Sequence, residues 1–107
     1  MYVLDDTYES AAAFVLGYDA ACEWGVLMGF REWLVLRIGS GNNLTWPALV
    51  LDIAFPEAED PQKCLGEPAA ERHAIETLFD LIAEFDKVRA QHDGLKKIFL
   101  AHAKQLA

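Results

Sequence analysis

Few residues in this chain of 107 are of types that do chemistry: three histidines, two cysteines and several carboxylate pairs. His73, His92 and His102 form no HExxH or ExxH motif, so their spacing offers no metal set, and neither a metal nor a cofactor is expected. His102 shares a stripe with Phe99 and Leu106 and reads as a packing residue, whereas His73, beside Glu71 and Glu76, reads as solvated. Cys22 falls on an apolar helical face, where burial makes a thiol inert. Cys64 lies in a loop with no base at a recognisable spacing. No nucleophile, acid and base assemble by spacing, and the chain reads as a non-enzyme. The Gly39-Ser40-Gly41 stretch lacks the third glycine of a phosphate cradle and does not open a helix, so it reads as a turn.

The remaining chemistry is that of contact. Asp19 and Glu23, and likewise Asp80 and Glu84, stand one helical turn apart, where they repel slightly and can receive a partner's arginine. Glu57, Glu59 and Asp60 make an acidic loop. Arg31, Trp33, Arg37 and Trp46 gather residue types that combine large contact area with a polar handle, as binding hot spots do.

Positioning that set requires the stretch Phe30 to Phe55, two β-branched and aromatic runs joined by Gly39-Ser40-Gly41-Asn42-Asn43, which reads as an antiparallel β-hairpin. Period-2 alternation puts Phe30, Leu34, Leu36 and Ile38 on a core face with Pro47, Leu49, Leu51, Ile53 and Phe55. The other face then pairs Arg31 with Asp52, Trp33 with Val50 and Arg37 with Trp46. Glu32 is the misfit, pointing into the core face.

Around the hairpin, Asp6-Thr7-Tyr8-Glu9 has the form of a capping box with Asp6 as N-cap. It opens a helix reaching Trp24 or Met28, with Ala11, Phe14, Val15, Tyr18, Ala21, Cys22 and Gly25 as its buried stripe. A proline-bounded loop, 56–66, leads to Pro68, which opens a second helix with Ile75, Leu78, Phe79, Ile82 and Phe85 on its core face. His92-Asp93-Gly94 ends or kinks it. A last helix carries the stripe Leu95, Ile98, Phe99, His102 and Leu106. The expected fold is thus α+β, ordered α-β-β-α-α in one domain. An isolated hairpin is marginal, so an extra short strand (Met1 to Leu4 or the segment at Lys63-Cys64-Leu65) or a dimer partner should complete the sheet.

Net charge is −8, and Asp5, Asp6, Glu9, Asp19 and Glu23 open the chain with no Lys or Arg in the first thirty residues. That opposes binding to nucleic acid and to anionic membranes. Cysteines outside any CxxC pair, and no basic and then apolar leader, give a reducing cytoplasmic setting as the expectation. The expected function is protein binding, through the Trp/Arg face and the acids Asp19, Glu23, Asp52, Glu57, Glu59 and Asp60. By analogy of size and charge this suits an immunity or antitoxin-type inhibitor that masks a basic protein. The alternatives are a homodimer joined at the hairpin face, and a ligand pocket lined by Tyr18, Trp33, Cys64 and His102.

Overall fold

The regular elements of the computed structural model, which describes residues 7–23, 25–41 and 44–106, are all helices. The order is α1 (Tyr8–Ala21), α2 (Phe30–Ile38), α3 (Trp46–Ala54), a 3-10 turn (Pro61–Cys64), α4 (Pro68–Ala90) and α5 (Gly94–Leu106). No strand occurs among the described residues, so the α+β hairpin fold is replaced by an all-helical one.

The expected strands are α2 and α3. Burial separates the two periods: Phe30, Leu34 and Val35 are all fully buried, although alternation would put Val35 opposite the other two. Leu49, Val50 and Leu51 are buried in succession, with Ala54 one turn beyond Val50, because α3 is covered on several sides, by α2, α4 and the 3-10 turn. Glycine and proline punctuate these helices. Gly39 is left-handed (φ 87°) and its N–H closes on the Val35 carbonyl, ending α2 as a C-terminal glycine does. Pro47 occupies the first turn of α3 behind the extended Thr45, where its missing N–H costs nothing. Glu32 lies in the first turn of α2, favourable for an acid at that end of the helix dipole. A two-stranded sheet would leave two edges unpaired, whereas helices satisfy their backbone internally.

The molecule spans 38 × 34 × 20 Å, a slab about two helix diameters thick. Its spine is α4, which packs against α1, α2, α3 and α5. From α4, Ala74, Leu78, Leu81 and Phe85 meet the buried residues of α2 and α3 together with Ile98 of α5. Phe79 of α4 and Phe99 and Leu106 of α5, expected in the core, remain 45%, 41% and 58% exposed.

At the edge of the slab, α1 is rotated from its expected setting. Its N-cap is Thr7, whose Oγ1 accepts the Ser10 N–H, rather than Asp6. The buried face is Tyr8, Ala11, Ala12, Val15 and Asp19, while Phe14, Tyr18, Ala21 and Cys22 point outward. Asp6 itself, the Met1 to Leu4 strand, Trp24 and the turn residues Asn42 and Asn43 lie outside the described residues.

Candidate functional site

The Trp/Arg set is brought together, but as internal packing between helices. Trp33 and Trp46 flank Phe30, with ring centroids 6.1 and 5.8 Å away, and Phe85 of α4 closes the cluster at 5.3 Å from Phe30 and 5.7 Å from Trp33. Arg37 lies over Trp33 at 5.5 Å rather than over Trp46, because the two are one helical turn apart on α2. Its guanidinium also pairs with Glu84 of α4. Arg31 donates through Nε to the Leu44 carbonyl at 2.7 Å and stands beside Glu32 rather than Asp52.

The candidate acids separate. Asp19 is 6% exposed, and its Oδ1 accepts the Leu27 N–H at 2.9 Å, which latches the α1–α2 connection. Glu23 follows α1 in a left-handed conformation (φ 59°) and is exposed. Asp52 is half-buried on α3, and Glu57, Glu59 and Asp60 are exposed on the following loop. Tyr18, Trp33, Cys64 and His102 sit on four different elements: Tyr18 faces outward on α1, while Trp33 belongs to the aromatic cluster. His73 reaches back to α3, its Nε2 2.9 Å from the Ala54 carbonyl and its ring edge-on to Phe55. No group of three or more His, Cys, Asp or Glu among the described residues could hold a metal ion.

What the folded chain presents instead is the outward side of α1. Tyr8 and Asp19 fix the rotation of this helix. The Tyr8 hydroxyl donates to the Pro47 carbonyl at 2.6 Å, and burial pushes its pKa well above the ordinary tyrosine range. The Tyr8 N–H donates to Glu71 Oε1 at 2.7 Å. With these anchors turned inward, Phe14, Leu16 and Tyr18 stand 46%, 40% and 57% exposed. Between Glu9, exposed in the first turn, and Glu23, exposed beyond the last, the only charged residue is Asp19, which is buried.

Down the centre of that face run Ala13, Gly17 and Ala21, one helical turn apart and all exposed. A Cβ added at Gly17 would meet nothing among the described residues within 4 Å. Beside the face lies an open groove of about 360 Å³ between α1, α3 and the 3-10 turn, floored by Ala12, Pro47, Leu51 and Leu65 and bordered by Leu16. The sequence pattern put Phe14 and Tyr18 in the core because α1 is apolar on every side. The usable signal was the polar handles of Tyr8 and Asp19, which a buried face can satisfy.

Compared with known proteins, the chain matches no family model, no curated protein and no solved structure. No helix among the described residues is long and apolar enough to cross a membrane.

Proposed function

We propose that this chain is a non-catalytic docking module that presents the outward apolar surface of α1 between Glu9 and Glu23 to another protein. The observation that carries the reading is the exposure of Phe14, Leu16 and Tyr18 together on a helix whose one charged residue between Glu9 and Glu23 is turned inward. A helix apolar all round is ordinarily covered on both sides, and here the fold covers one. The Trp/Arg set is taken up in the α2–α3–α4 packing.

The test is site-specific photocrosslinking in the cells that make the protein, with benzoylphenylalanine at position 14 or 18 and, as control, at the exposed Lys96 of α5. Discrete adducts at 14 and 18 that vanish when Gly17→Glu is added support the reading. Adducts no more frequent than at position 96, or none, sink it.

A further inference from the structure

We infer that the groove between α1, α3 and the 3-10 turn takes a basic segment of the partner protein, in which one apolar side chain is flanked on both sides by Lys or Arg. This rests on the docking reading above and adds the chemistry of the segment that docks beside Leu16.

Shape is the first ground. The groove of about 360 Å³ shares Glu9, Ala13, Gln62 and Leu65 with a hollow of about 630 Å³ at the start of α1, and Ala48, Leu51 and Gln62 with a smaller one of about 160 Å³ beside Asp60. The three join into one trench that passes Gln62. Its middle is the apolar part, floored by Ala12, Pro47, Leu51 and Leu65, and has room for a single aliphatic or aromatic side chain.

Charge is the second ground, and it names the occupant. The charged side chains lining the trench are Glu9 and Glu71 toward one end and Asp52 and Asp60 toward the other, and among the described residues no Lys or Arg lines any part of it. Glu71 is engaged by the Tyr8 and Gly66 N–H groups, whereas Glu9 and Asp60 are exposed. Arg31, which donates to the Leu44 carbonyl near the Asp52 end, stays outside. An apolar floor between two acidic ends is complementary to a segment that is basic, apolar and basic again. The −8 of the whole chain draws the same kind of segment from a distance.

These parts divide the work. Exposed ion pairs contribute little and are screened by salt, so the apolar anchor carries the affinity while the acids select the segment and speed its approach. Alone, such a segment binds weakly. In a protein that also covers the α1 face the two contacts are linked, and together they hold more tightly than either.

The experiment titrates the isotope-labelled full chain, followed by amide NMR, with the end-blocked peptide Arg-Arg-Leu-Arg-Arg. Arg-Arg-Ser-Arg-Arg and Glu-Glu-Leu-Glu-Glu are the controls. The first should bind with Kd of about 100 μM to 1 mM, with shifts centred on Ala13, Ala48, Leu51 and Leu65. The serine peptide should bind at least about tenfold more weakly for want of an anchor, and the acidic one should not bind. Glu9→Gln combined with Asp60→Asn should weaken the leucine peptide about fivefold at low salt and leave helicity by circular dichroism unchanged, since both positions are exposed. Absence of binding to the full chain at about 5 mM peptide overturns the inference, whether a second copy or the chain's own residues hold the groove. Equal binding of the leucine and serine peptides, or shifts spread over acids away from the trench, means unselective charge attraction and overturns it as well. When the peptides fail, adducts to another protein from position 14 leave the docking reading standing, and their absence removes both.

Discussion

Glu71 holds the first turn of α1 from the neighbouring helix: its Oε1 accepts the Tyr8 N–H at 2.7 Å while its Oε2 accepts the Gly66 N–H at 2.8 Å. One carboxylate thus satisfies an orphan donor at the start of α1 and the left-handed Gly66 before α4. Hydrogen bonds to a charged acceptor contribute about 1.5–3 kcal/mol. Glu71→Ala should therefore lower the unfolding free energy by about 2–4 kcal/mol in a urea titration, with Glu71→Gln losing less because one acceptor oxygen remains.

Tyr8 is anchored at its other end by the Pro47 carbonyl. Tyr8→Phe should cost about 1–2 kcal/mol, because it leaves that half-buried carbonyl without its donor. Burial raises the phenol's pKa in the folded chain above its unfolded value near 10, so folded Tyr8 keeps its proton where unfolded Tyr8 loses it. This contribution is constant below pH 10 and falls above it, by up to about 1.4 kcal/mol per pH unit. Denaturation curves at pH 9, 10 and 11 should show that loss in the wild type and a shallower one in Tyr8→Phe. Parallel curves for the two proteins would contradict it.

Asp19 acts within the chain. Asp19→Ala strands the buried Leu27 N–H and should destabilise by about 1–3 kcal/mol. Amide exchange in the segment 20–29 should accelerate, and exchange in α5 should stay as it was. Were Asp19 a contact for a basic partner, the same substitution would leave the isolated chain's stability untouched.

For Trp33, the expected readout is also stability. Trp33→Ala removes a ring that touches Phe30, Phe85 and the Arg37 guanidinium, and should cost about 3 kcal/mol in thermal or chemical unfolding. The Arg37 to Glu84 pair is nearly half exposed on both sides, so Arg37→Ala should change stability by no more than about 1 kcal/mol.

Pro68 and His92-Asp93-Gly94 mark the ends of α4 in the sequence as they do in the structure, because proline and glycine act through the local backbone whatever surrounds them. The same punctuation was present at Gly39 and Thr45-Trp46-Pro47, but β-branched and aromatic composition outweighed it. Composition is the weaker guide, since β preference measures the packing of a pleated surface and not an intrinsic demand of the backbone. Trp33 and Arg37 illustrate the cost of the wrong period: their spacing of four is one helical turn, and alternation had placed Arg37 against Trp46 instead. The outward side of α1 was illegible for a different reason. A helix apolar in all directions carries no rotational signal, and only the long-range bonds of Tyr8 and Asp19 fix which side faces in.

Because α1 is fastened near both ends, by Tyr8 to Pro47 and Glu71 and by Asp19 to Leu27, its outward surface is shaped before any encounter. A partner meeting it finds side chains on a fixed helix and need not organise a loop, so little conformational entropy is lost on contact. Encounter and release can then follow diffusion and the lifetime of the apolar contact, without a folding step to slow either one.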